Sequence, residues 1–148
     1  MAASTIPAAK AALLALIDAR PALAAVHCGW GIPANLPAEP ERIYVADAIP
    51  TERRWKALSP VAPMWEEYIL QVHVETFLSG NDQQTAEMRF WELVDEVEQS
   101  VRATHATLKL NGAVKIAKPD GVTNPRTQPT DDGWAASGVV RFECQAEC

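Results

Sequence analysis

Long hydrophobic runs, a surplus of basic residues, a cysteine framework and every short catalytic signature are missing from this sequence. Each absence removes a class of function. No stretch approaches the roughly 18 uninterrupted apolar residues of a membrane-spanning helix, so no membrane role is expected. Thirteen Lys and Arg stand against 19 Asp and Glu, a formal net charge of −6. That balance argues against a nucleic-acid-binding surface, which needs an excess of cations. Three cysteines, an odd number, argue against a disulfide framework and for a reducing compartment. The Ala-rich start lacks the basic first residues and apolar run of a signal peptide, and Lys10 and Asp18 interrupt it. There is no Gly-x-Ser-x-Gly elbow, phosphate-cradling Gly-rich loop or Walker sequence, no internal repeat and no low-complexity tract.

The residues that could still carry chemistry do not converge. His27, Cys28, Cys144 and Cys148 are ligand types that zinc prefers, but His27 and Cys28 are adjacent and point to opposite faces of a strand. No Cys-x-x-Cys occurs, Cys144 has the parity of a core residue, where a thiol behaves as a small hydrophobe, and Cys148 is the last residue. His105 falls where a long helix is ending, a position that explains it without function. Glu66 and Glu67 are consecutive and cannot both face one site from a strand. No metal, cofactor or catalytic role is expected.

What is present is a good core pattern. With 148 residues and 48% hydrophobic side chains, the chain reads as one domain, 1–148, able to bury a sizeable interior. Ser4 or Thr5 can cap a first helix from Ala8 to Arg20, with Leu13, Leu14 and Ile17 as its stripe and Pro21 as its stop. Ala24 to Trp30 and Arg42 to Ala46 read as short strands separated by a proline-bearing loop, Gly31 to Glu41. Ile49-Pro50 ends the second, and Thr51 to Leu58 is left open between a helical turn and a strand. From Tyr68 to Leu78 apolar and polar residues alternate with the period of two of a long strand. A turn at Ser79-Gly80-Asn81-Asp82 follows, and then Ala86, Phe90, Leu93, Val94, Val97 and Val101 recur at helical spacing. Asn111-Gly112 is a turn and Val114 to Ala117 a short strand. Pro119 to Gly133 holds three prolines, two glycines and three aspartates, and reads as a flexible loop. Trp134 to Glu147 alternates again and is expected to pair antiparallel with the Tyr68–Leu78 strand. The expected fold class is α+β, an antiparallel or mixed sheet with two main helices packed on one face. The other face is expected to be polar and open, carrying Gln71, His73, Glu75, Arg141, Glu143 and Gln145.

Two aromatic signals point to contacts with other chains. At about 100° per residue, with Ala86 at zero, the helix core lies within about 80° either side, while Trp91 sits near 140° and Met88 near 200°. They share a face with the carboxylates Glu87, Glu92, Asp95, Glu96 and Glu98, which otherwise read as solvated. A large apolar pair off the core on an acidic face marks a partner contact. The second signal is Arg53-Arg54-Trp55-Lys56, the only basic cluster, with an aromatic inside it. His73 and Arg141 on the open sheet face are further interface candidates.

In order, these segments resemble the tail terminator (tail-completion) proteins of long-tailed bacteriophages. The resemblance is carried by a leading Ala/Leu helix, the Arg42-Ile43-Tyr44-Val45 strand, a Trp-bearing segment at Trp55, the Glu66-to-Val74 strand Glu-Glu-Tyr-Ile-Leu-Gln-Val-His-Val, the Ala86–Val101 helix directly after it, and a closing alternating strand. It covers nearly the whole chain. It implies a virion protein that forms a homo-oligomeric ring, commonly a hexamer, on the last ring of the tail tube. There it stops polymerisation and presents a surface to the head-side connector. It also implies a lumen through which genome DNA passes without specific binding, for which Asp120, Asp131 and Asp132 are candidate lining residues. A ring needs heterologous contacts, and the acidic helix face with Trp91 and the Arg53–Lys56 segment are candidate opposite halves. The alternative within the same class is a head-completion or connector-stopper protein of the neck. A small ligand-binding or enzymatic α+β domain would need convergent buried polar groups, and none is visible.

Overall fold

The computed structural model describes residues 3–35, 39–56, 62–80 and 82–148. Helix α1 spans Ile6–Asp18 and is followed by a 3-10 turn at Pro21–Leu23, then strands β1 (His27–Trp30), β2 (Glu41–Trp55) and β3 (Met64–Ser79). Helix α2 (Gln83–Arg102) comes next, with a 3-10 segment Thr107–Gly112, and strands β4 (Ile116–Thr130) and β5 (Gly133–Glu147) complete the order. The five strands form one mixed sheet, β1-β2-β3-β5-β4, in which β1 and β2 are parallel and the other neighbours antiparallel. The fold class is α+β, as the pattern of the sequence requires. The expected turn at Ser79–Asp82 and the segment Thr51–Leu58 lie partly outside the described residues.

The centre of the sheet follows from period two. Tyr68, Leu70, Val72, Val74 and Thr76 of β3 are buried while their odd-numbered neighbours are half-exposed, and β5 repeats this with Ala136, Val140, Phe142, Cys144 and Ala146. β3 and β5 pair in unbroken register from Trp65–Glu147 to Ser79–Gly133. Ala9, Leu13 and Ile17 of α1 and Ala86, Phe90, Leu93, Val94, Val97 and Val101 of α2 join the same hydrophobic core, so both helices cover one face. Arg20 ties the helices together, donating from Nε and Nη2 to Glu96 at 2.9 and 2.7 Å. Glu96 is therefore a tie between helices and not part of a solvated face.

The outer strands differ from the expectation, and for one physical reason. β2 does not end at Ile49-Pro50 but runs on to Trp55, with register shifts between Val45 and Ala48 and between Pro50 and Glu52. β1 pairs only as far as Val45, so Pro50 lies on a free edge, where the N–H it lacks is not needed by a neighbour. The segment Pro119–Gly133, expected to be a loop, is mostly strand β4, paired with β5 from Ile116–Gln145 to Thr130–Gly133. Its signals are those of an edge strand. Register shifts flank Gly121 and Asn124, which take positive φ of 83° and 51°, and Pro119 and Pro125 sit beside or within those bulges. Only Asp131 and Asp132 remain as the turn. Gly133 opens β5 at a point where a Cβ would lie 2.0 Å from the Leu78 carbonyl oxygen, a space no other residue fits.

Candidate interaction surfaces

The outer face of α2 is positioned by its own capping and packing. Asp82 accepts a hydrogen bond from the Thr85 amide at 3.3 Å and fixes where the helix starts. The buried stripe then sets the rotation, leaving Met88 57% and Trp91 49% exposed, as the angular count predicts. Trp91 packs edge-on against Phe90, ring centroids 5.1 Å apart, beside a cleft formed with Pro125, Arg126 and Thr127 of β4. Thr127 donates a hydrogen bond to Glu87 at 2.8 Å across that cleft, so Glu87 too has a partner. Asp95 is exposed and Glu98 half-exposed along the same outer face.

The basic cluster takes an unexpected form, because each of its three cations has a carboxylate within the chain. Arg53 Nε lies 3.3 Å from Glu66, Arg54 Nε 3.0 Å from Glu52, and Lys56 Nζ 2.7 Å from Glu147. Lys56 also lies over the Trp65 ring at 5.8 Å, and Trp55 stands 51% exposed beside them. Arg53 belongs to a small buried polar network that the sequence reading misses. Glu66 has the parity of the core residues of β3 and is only 3% exposed. Its Oε2 accepts from the backbone amide of Thr5 at 2.8 Å and from the Thr5 hydroxyl at 2.9 Å, and that hydroxyl also lies 2.9 Å from the Tyr68 hydroxyl. Of the two expected caps, Ser4 Oγ accepts from the Ile6 amide at 3.2 Å, while the Thr5 side chain makes no cap bond. A carboxylate from β3 takes the Thr5 amide beside it, and its charge suits a helix N-terminus. Burial alone would raise the Glu66 pKa, but the Thr5 and Ser4 hydrogen bonds and the Arg53 charge outweigh it and hold it below the ordinary value.

The uncovered face of the sheet carries Gln71, His73, Glu75, Arg141, Glu143 and Gln145, all half-exposed, as expected. Over β1 and β2 it is less open than the sequence suggests. Tyr44, across from His73, is fully buried with the His27 ring edge-on to it at 6.0 Å, and burial pushes its hydroxyl pKa up. Arg42 Nε donates to the Glu39 carbonyl at 2.9 Å and its guanidinium lies 4.8 Å from the Phe77 ring centroid. Arg141 is adjacent to Gln71 and 3.9 Å from Asp120. Asp120 therefore sits at mid-sheet, whereas Asp131 and Asp132 form the hairpin turn about 25 Å away at roughly 3.3 Å per residue. The three aspartates do not gather at one place.

Among the described residues no group of three or more His, Cys, Asp or Glu is placed to hold a metal. The cysteines are free; burial, reinforced by Glu143, pushes the Cys144 thiol up to about 12, and burial with Asp18 pushes Cys28 up to about 11. No described helix is long and apolar enough to cross a membrane.

No protein family matches the chain, and no curated protein does. Among solved structures it is similar to a chain of the virion of a native gene transfer agent particle, at 12% identity over 99% of this chain and 100% of that one, with a TM-score of 0.44.

Proposed function

We propose that this chain is a virion structural protein of a phage-like particle and, within that class, a tail terminator that caps the tail tube as a homo-oligomeric ring. The observation that carries the reading is the outer face of α2. Met88 and Trp91 are half-exposed or more on a rigid 20-residue helix, next to the carboxylates Asp95 and Glu98. Large apolar side chains held out from a well-packed core are the anchors of protein contacts, with Trp among the most effective. The segments that carry the resemblance fold as a leading helix, a Trp-bearing end of β2, the long strand β3, α2 directly after it and the closing strand β5, with a further 15-residue strand, β4, between α2 and β5. The partners are further copies of the chain, commonly six, together with the tail tube protein on one side and the head-side connector on the other.

A net charge of −6 suits a channel for DNA, since an acidic wall repels phosphates and lets the genome slide. No cofactor and no catalytic step are part of this function, and the protein resides at the head-proximal end of the tail.

Electron microscopy of the purified protein mixed with tail tubes tests the proposal. Decoration of tube ends is expected. Binding only to portal-bearing heads would assign the chain to the connector-stopper position in the neck, and binding to neither would overturn the virion reading.

A further inference from the structure

Besides Trp30, Ile32, Ile49 and Trp91, the exposed large apolar side chains lie at the two ends of β3: Trp55 at one, and Phe77 with Met88 of α2 at the other. At one end the β2–β3 hairpin runs past the core. Every residue of β2 from Ile49 to Trp55 is exposed, and Trp55 stands beside Trp65 with Arg54 and Lys56 around it. At the other end Pro40, Phe77, Leu78 and Met88 line a groove with two lobes of about 430 and about 610 Å³ that share Pro40 and Leu78. Its margin is acidic, with Asp131 and Asp132 on one side and Glu41 and Glu92 on the other, the last two sharing Arg89. Trp55 is across from Met64 and the groove includes Leu78, so the two sites are about 45 Å apart at roughly 3.3 Å per residue and cannot meet within one chain.

We propose that the Trp55 hairpin of one copy docks in the Phe77–Leu78–Met88 groove of a second copy, giving each chain one donor end and one acceptor end. The inference rests on reading the chain as a subunit of a ring, which requires contacts of this head-to-tail kind. The groove is apolar where the indole enters. Arg54 is the polar half of the fit. Its present partner Glu52 is on the same strand and both side chains are well exposed. An exposed pair of that kind holds weakly, so Arg54 is available to a neighbour's carboxylate. Asp131 and Asp132 have no cation partner among the described residues, and they flank the groove where such a cation would arrive.

Sedimentation of the full chain at about 100 µM, a concentration that fills a micromolar contact, tests the pairing. Wild type is expected to form assemblies larger than a dimer. Trp55→Asp removes the donor and Met88→Asp the acceptor, so each alone should remain monomeric with an unchanged circular dichroism spectrum. An equimolar mixture of the two should form a dimer and stop there, because one supplies the intact groove and the other the intact hairpin. Arg54→Glu should weaken assembly about tenfold or more, and Asp131→Lys with Asp132→Lys in the same chain should restore it. A mixture that stays monomeric, a single variant that assembles like wild type, or a wild type that stops at a monomer or dimer overturns the pairing. Tail tubes are absent from this measurement. Intact pairing with failed tube capping therefore counts against the proposed function alone, and capping without the pairing counts against this inference alone.

Discussion

Glu66 accepts a hydrogen bond from the backbone amide of Thr5 at 2.8 Å, so a carboxylate in the middle sheet strand closes the first turn of a helix 61 positions earlier. The contact joins the leading helix to the sheet through a charge that is almost fully enclosed, and its strength depends on that charge. Hydrogen bonds to an ionised acceptor are stronger than neutral ones, and leaving their donors unpaired in a buried site costs more than the bonds contribute.

Glu66→Ala is expected to destabilise the fold by about 2 kcal/mol, and Glu66→Gln by less, since an amide oxygen still accepts from Thr5. The folded carboxyl is held below its ordinary value, so its contribution is fully present above the unfolded pKa of about 4.3 and is lost as pH falls through the folded value. Urea unfolding of wild type and Glu66→Gln between pH 7 and pH 3 checks the sign: the difference in stability between them should shrink on acidification. A constant difference would contradict it.

Gly133 and Gly138 are expected to reject even a methyl group, to different degrees. At Gly138 a Cβ would lie 2.7 Å from Phe90 Cζ and 3.3 Å from Pro125 Cα, and Phe90 is locked in the core. Gly138→Ala should cost about 1–3 kcal/mol by overpacking. At Gly133 the obstacle is the Leu78 carbonyl itself, so Gly133→Ala should be the worse of the two. Thermal melts that rank them in the opposite order would show that the β4–β5 turn yields more readily than the helix–sheet contact.

Trp91→Ala should leave the monomer folded, with a loss of stability within about 1 kcal/mol, as expected for an exposed position. Phe142→Ala, at a fully buried position, should cost about 3–5 kcal/mol. Trp91→Ala should also abolish ring formation or tube capping, giving tails of uncontrolled length when the variant is the only copy supplied. A variant that caps normally would move the contact surface elsewhere, to the sheet face around His73 and Arg141.

Hydrogen exchange should resolve β4 residue by residue. The amides of Asp120, Gly121 and Asn124, in the two irregular stretches, are expected to exchange faster than the β4 amides that bond β5. Uniformly fast exchange from Pro119 to Gly133 would mean that the segment behaves as the loop its composition suggests.

That composition explains where sequence reading succeeds and where it stops. β3, β5 and α2 are legible because each has one buried and one exposed side, and burial imposes a period on the residues. β4 and the second half of β2 have a free edge, and an edge is managed with prolines, bulges and charges, the same residues that mark loops. The outward turn of Met88 and Trp91 is legible because rotation about a helix is fixed by its buried stripe. The partners of Arg53, Arg54 and Lys56 are less so. Glu66 and Glu147 lie on strands whose register relative to β2 is set by the whole sheet, and no local pattern encodes it. One clue to Glu66 is present in the sequence: it shares the parity of Tyr68 and Leu70, and a carboxylate on the core side of a strand must find donors.

The uninterrupted β3–β5 pairing also has a mechanical meaning. The two flanking pairings, β2–β3 and β4–β5, are broken by register shifts, while this central one runs its full length, and Met64 and Cys148 exchange backbone hydrogen bonds of 2.8 and 2.9 Å at its end. A force directed along these strands loads all the cross-strand bonds of the pair at once, with no bulge at which to begin peeling. The sheet is therefore a stiff spine with compliant margins. Strain imposed on the subunit is taken up by the hairpins and edges, while the geometry between the two ends of the spine is held fixed.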